Sequence, residues 1–240
     1  MKITDTGQIL NTRISFYGKH RFSNMAEKLS PRDIYSDTVS EEFIELRKIY
    51  NNLWEKMDLP KNLKPRLQYQ AMLSNMAFSF ENYSIYVEKR LSPFRMNLRN
   101  KTGMNESILR HEIEHTKQFW DIIRLIGADN MAKKFNNIGW LHIDFNPSLI
   151  KKMHEIENTL GRILPDSKEY IRAQQHLEAL KKYPNIGQYE GIGIAELIKR
   201  FRYKYNMLER EANKQAAKYE PSYLKTIKTA VKEFFKLLKY

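Results

Sequence analysis

Residues 107–120 read SILRHEIEHTKQFW, and the way this stretch lies on a helix decides the fold around it. At about 100° per residue its charges fall into two groups. Arg110, Glu114, Lys117, Asp121 and Arg124 gather on one side. Opposite them Met104, Ile108, Leu109, Ile113, Phe119, Trp120, Ile122, Ile123 and Ile126 form a broad apolar surface, which is expected to face the interior. Glu112 falls in the middle of that surface. His111, His115 and Gln118, spaced i, i+4, i+7, line its edge, so both imidazoles can converge on one point. A carboxylate at an apolar position is costly unless a charge or hydrogen bonds compensate it, and a bound cation does so.

The arrangement is H-E-x-x-H. Its mechanical logic is two neutral imidazoles on successive turns that hold Zn²⁺, with the adjacent Glu acting as general base on a water. Zinc brings that water's pKa near neutrality and polarises the carbonyl under attack. Glu112 would take the proton and pass it to the leaving amine.

The rest of the composition bounds this reading. A chain of 240 residues can bury a substantial interior, and 42% hydrophobic with 29% charged residues suits a soluble globular protein. Cys is absent, which excludes disulfides and thiolate-bound zinc, leaves His, carboxylate or amide oxygen as ligands, and favours a reducing compartment. The first 20 residues, MKITDTGQILNTRISFYGKH, lack an apolar h-region, and no apolar run approaches 18 residues, so neither a signal peptide nor a membrane span is expected. A cytoplasmic or virion-associated location fits. The net charge of +13 suits an anionic partner, yet no aromatic-and-basic binding signature accompanies it, so nucleic acid is not the expected partner.

Along the chain, residues 1–39 form a polar, irregular arm. From Ser40, SEEFIELRKIYNNLWEKM predicts a helix that ends before Pro60. LKPRLQYQAM and MAFSFENYSIYVEKRL alternate apolar and polar residues around a turn at Glu81-Asn82, which predicts a small antiparallel sheet ahead of the H-E-x-x-H helix. Further helices are expected near 129–136, 147–162, 166–182 and 193–218, separated by Pro and Gly. The last segment, YLKTIKTAVKEFFKLLKY, is amphipathic. Its Lys225, Lys228, Lys232, Lys236 and Lys239 share one face, expected to be the solvated side of a docked helix, with a partner- or membrane-binding face as the alternative. The expected fold class is α+β, mostly α-helical, with an arm at 1–39, a domain at 40–220 and a basic amphipathic helix at 221–240 packed on or extending it.

Zinc held by two His needs a further protein ligand and an open position. YKYNMLEREANKQAAKY at 203–219 offers one. Glu211 is taken to share a helix face with Met207, Leu208 and Gln215, with Glu209, Arg210 and Asn213 elsewhere, while Ala212 and Ala216 allow close helix approach. Asp121, ten residues after His111, would need a Gly turn where Gln118 stands; His142 and His154 read as ordinary histidines. Gln118 is expected to support His115 or another ligand. Tyr203, Tyr205 and His142 are the candidate oxyanion donors, and the sequence does not choose among them.

HEIEHTKQ and LEREANKQAA together resemble the zincin metallopeptidases, particularly the gluzincin-like group with a downstream E-A-x-x-x-A helix, in versions like those of small bacterial and phage-encoded members. The resemblance covers about 76–126 and 203–219. It implies a zincin-like domain with a zinc cofactor, His111, His115 and Glu211 as ligands, and Glu112 as general base. It also implies that the edge strand of the preceding sheet, in the strand-like region 76–99, lines the substrate cleft. Relatives often carry Asp where this chain has Asn213, so a carboxylate orienting a ligating His has to come from elsewhere.

Three functions compete on these grounds. One is a zinc-dependent hydrolase acting on a peptide or protein substrate. Another is a catalytically silent zincin scaffold in an assembly, with a protein partner bound through residues 1–39 or the C-terminal helix. An anion-binding module driven by the +13 charge is a third.

Overall fold

The computed structural model describes residues 41–70, 76–88, 93–135, 145–182 and 205–237. The expected arm at 1–39, residues 193–204 of the expected helix at 193–218, and the side chains of His142 and Tyr203 lie outside them. Among the described residues the chain is mostly helical with one small sheet, as the α+β expectation requires. In order come α1 (Glu41–Lys56), a short 3-10 turn (Lys61–Leu63), β1 (Arg66–Gln70), β2 (Ala77–Ser79), β3 (Ser84–Glu88), α2 (Pro93–Thr102), α3 (Met104–Ile126), α4 (Ala128–Phe135), α5 (Pro147–Leu160), α6 (Lys168–Lys181), α7 (Met207–Ala217) and α8 (Tyr223–Leu237). No helix among the described residues is long and apolar enough to cross a membrane.

α3, the H-E-x-x-H helix, is the centre of the fold and touches α1, α2, α4, α5, α6, α7 and β2. A 23-residue helix contacted from so many directions cannot keep a purely solvated face. Glu114 and Thr116 are therefore buried along with the expected Leu109, Ile113, Phe119, Trp120, Ile122 and Ile123. Glu114, which the helical wheel sets among the charged residues, is compensated by Lys117 at 2.8 Å and by Arg172 of α6 at 2.9 Å. Gly103 at φ +90 separates α3 from α2. At the other end the Gly127 N–H returns to Ile123 O at 2.7 Å with φ +86, a left-handed conformation that an L side chain adopts only at a cost.

α1 buries Phe43, Leu46, Tyr50, Leu53 and Trp54, the i, i+3, i+4 pattern of one apolar stripe, and its acidic first turn opposes the helix dipole. The aromatic polar atoms are satisfied as the rings enter the core: Trp120 Nε1 donates to Tyr83 Oη, which donates to Leu63 O, both at 2.7 Å. Trp54 meets Trp120 edge to face, at 5.8 Å between centroids.

The sheet is mixed rather than wholly antiparallel. β2 and β3 form the expected antiparallel hairpin around residues 80–83, with Phe78 opposite Ile85, but β1 pairs with β3 in parallel in the order β1-β3-β2. β2 lies one strand position away from β1, and the hairpin returns β3 into the gap between them. The strand-like reading of 76–99 also ends early, because Pro93 opens helix α2. Proline at a first helical position loses no backbone bond, and its fixed φ suits the turn. The helix expected over 193–218 has a start at Met207, where Asn206 caps it by accepting from Leu208 N at 2.9 Å.

α8 docks on α2, but not through the face expected from its pattern. Thr226, Thr229, Ala230 and Glu233 are its less exposed positions, and Glu233 pairs with Lys101 of α2 at 2.6 Å. The apolar face stands exposed beside the lysines.

Candidate metal centre

One turn of α3 separates His111 from His115, and their Nε2 atoms lie 3.0 Å apart. The state of His115 follows from its neighbours. Gln118 Nε2 donates to Leu208 O at 3.0 Å, a carbonyl that can only accept, so Gln118 Oε1 must be the atom 2.9 Å from His115 Nδ1. His115 Nδ1 therefore carries a proton that it donates to Gln118, and its Nε2 in the neutral ring is a lone pair aimed at His111. An outer hydrogen bond of this kind is how proteins fix the tautomer of a metal-ligating histidine.

The third group at this point is Glu209, not Glu211. Glu209 Oε1 lies 3.3 Å from His115 Nε2 and Glu209 Oε2 lies 3.5 Å from His111 Nε2. α7 meets α3 through Leu208 and Ala212, both fully buried, and Ser107 Oγ of α3 donates to Ala216 O at 3.0 Å. Glu209, Ala212 and Ala216 follow i, i+3, i+7 and lie on that seam, whereas Glu211 is turned about 100° or more away from it. The small residues expected to allow close approach do lie at the seam, but the glutamate that shares their face is Glu209 rather than the expected Glu211.

His111, His115 and Glu209 each offer one ligand atom, all within 4.8 Å of one another. Zinc at 2.0–2.2 Å from nitrogen and oxygen ligands in tetrahedral geometry sets those atoms about 3.3–3.6 Å apart. The two histidine-to-carboxylate separations, 3.3 and 3.5 Å, fall in that range, and the 3.0 Å between the imidazoles is slightly shorter. The donor set of two imidazoles and a carboxylate suits zinc and leaves a fourth position for another ligand. Burial would raise the Glu209 carboxyl, but positive charge at His115 and His111 holds it well below the usual carboxylate range, and a cation held between neutral imidazoles would supply that charge in their place. His115 is fully buried and Glu209 nearly so, while His111 at 16% exposure is the side open to water.

Glu112 is buried, as its place on the apolar surface requires. Phe78 N of β2 donates to its Oε2 at 2.7 Å, which fixes the carboxyl between the sheet and the imidazoles. Burial pushes it up to about 7, against the pull of His111 and the Phe78 N–H, with Glu209 adding to the rise. A carboxyl in this range can take a proton and return it near neutral pH.

Around these four residues lies a second layer of charge. Glu211 accepts from His176 Nε2 of α6 at 2.7 Å, with Arg172 and Gln118 Nε2 each at 3.5 Å. It is thus one residue removed from the site, beside the amide that braces His115. Asp121 stays out of the cluster, with its Oδ2 at 3.3 Å from His176 Nδ1, an ion-pair contact that does not make a hydrogen bond. His176 is fully buried; burial lowers its pKa, but Asp121 and Glu211 outweigh that and raise it. The sequence reading passed over His176, although Ala173, His176 and Leu180 recur at i, i+3, i+7 on the buried face of α6. His154 pairs with Asp129 at 3.1 Å on the surface, an ordinary role. Tyr205 is 52% exposed just before α7, and the other two oxyanion candidates, His142 and Tyr203, fall outside the described residues.

No family model, curated protein or solved structure matches this chain.

Proposed function

We propose that this protein is a zinc-dependent metallopeptidase of zincin-like design, with His111, His115 and Glu209 as the zinc ligands and Glu112 as general base. The observation that carries this reading is the triangle of 3.0, 3.3 and 3.5 Å closed by two imidazoles and a carboxylate beside a buried glutamate raised to about 7. When bound there, zinc lowers the pKa of a water and polarises a carbonyl. The chain's own residues do the rest. Gln118 holds the His115 tautomer with its lone pair inward, Glu112 takes a proton from the attacking water and delivers it to the leaving amine, and β2 holds Glu112 in place. β2 is an edge of the three-stranded sheet and sends one of its own N–H groups to the general base, which supports it as a wall of the substrate cleft.

The test combines metal analysis with peptide hydrolysis on the purified full chain. One zinc per chain is expected, and Glu112→Gln should keep the zinc while losing at least about 10²-fold in turnover. Hydrolysis unchanged by that substitution, or a chain that binds no divalent metal, overturns the reading.

A further inference from the structure

α8 uses its surface in an unusual way. Tyr223, Leu224, Ile227, Val231, Phe234 and Phe235, between 41% and 79% exposed, fall within an arc of about 120° on the helical wheel. Lys225, Lys228, Lys232 and Lys236 occupy the adjoining arc and are exposed as well. Only the remaining arc, of Thr226, Thr229, Ala230 and Glu233, faces the protein. The single acidic residue of the helix, Glu233, is thereby turned inward and covered by Lys101 and Lys236 at 2.6 and 3.0 Å. What α8 shows to the outside is apolar and cationic with no carboxylate. α2, against which it packs, adds Arg95, Arg99 and Lys101 and no acid, so the pair holds seven basic residues against one acidic.

We propose that α8 docks on an anionic lipid bilayer, its apolar arc entering the headgroup layer and its lysines meeting lipid phosphates. The charge pattern chooses this occupant. A second copy of the chain would bring the same four exposed lysines and no exposed carboxylate of α8 to the contact, whereas an anionic membrane offers negative charge directly above an apolar layer, matching the two arcs side by side. A 15-residue helix spans about 22 Å, enough to lie flat in the interface and far too short to be read as a span. Lysine stems cover apolar surface while their ammonium groups reach outward to phosphate, so the neighbouring arcs work together.

Co-sedimentation of the full chain with phosphatidylcholine vesicles, with and without phosphatidylserine, tests this. Partitioning should be at least roughly tenfold stronger on the anionic vesicles and should fall as salt rises. Lys228→Glu/Lys232→Glu should abolish it, and Phe234→Ser/Phe235→Ser should weaken it at least about fivefold, with thermal melting showing both variants folded. Lys48→Glu/Lys182→Glu, which alters exposed lysines elsewhere, should leave it unchanged, and so should Glu112→Gln, which separates this surface from the metal centre. Equal binding to both vesicle types, equal loss in the Lys48/Lys182 variant, insensitivity to the phenylalanine changes, or a native dimer that dissociates in the Phe234→Ser/Phe235→Ser variant would each overturn it.

Discussion

Glu209 and Glu211 stand two residues apart and do different work. Glu209 faces the imidazole pair directly, whereas Glu211 acts through Gln118 and His176. Glu211→Ala and Gln118→Ala should therefore each weaken zinc affinity by about 10- to 100-fold, the usual cost of losing an outer partner, and Glu209→Ala should cost clearly more. Competition with a chelating dye measures all three, and an equal loss for Glu209→Ala and Glu211→Ala would contradict the geometry. Glu112 has a consequence for pH. Its folded pKa near 7 lies above the ordinary 4.5, so the folded chain holds a proton that the unfolded chain releases between these values. Its contribution to stability is complete below about pH 4.5 and is lost as pH rises through 7. Glu112→Gln removes that loss. In the metal-free protein the variant should melt close to the parent at pH 5 and higher at pH 8, with a difference up to about 3 kcal/mol. A difference in melting temperature that does not change with pH would rule out the assigned ionisation.

Among the elements, α7 against α3 is the contact on which the centre depends. Ala212 is fully buried there, with Leu208 one turn before it. Ala212→Leu should cost about 1–3 kcal/mol by overpacking and, by pushing α7 outward, should lower zinc affinity as well. Denaturant melts read the first effect and metal titration the second; a variant destabilised with unchanged affinity would show that Glu209 is not positioned by this seam. The same contact explains why Glu209, and not the expected Glu211, lies beside the imidazoles. Ala212 and Ala216 were legible as a close-approach signal, but which carboxylate shares their face depends on the rotation of α7, and a wheel read with Met207 and Gln215 as the inner positions turns it too far. α2 is hidden behind the strand-like alternation of 76–99, which runs on past Pro93, a residue that opens a helix more readily than it continues a central strand.

At the scale of the whole molecule, α3 passes through the middle of the fold, so a metal that joins it to α7 should hold the chain together. Saturating zinc at about 1,000 times its dissociation constant adds roughly 4 kcal/mol to the folded state, and chelation should lower the melting temperature by several degrees with recovery on adding zinc back. A melting temperature indifferent to chelation would mean that the cluster is not a metal centre. The mostly helical class, the hairpin at 77–88, the helices near 129, 147 and 166 and the buried Glu112 were all readable from the chain, because intrahelical and hairpin spacing place those residues relative to their near neighbours. Chain spacing also brings His111 and His115 together without help from any other element. The parallel pairing of β1 with β3, the burial of Glu114, the choice of Glu209 over Glu211 and the outward turn of the apolar face of α8 were decided only by tertiary structure. Each depends on which surface of one element meets another across a long stretch of chain, and that is settled by packing among all the elements together, which local periodicity does not contain.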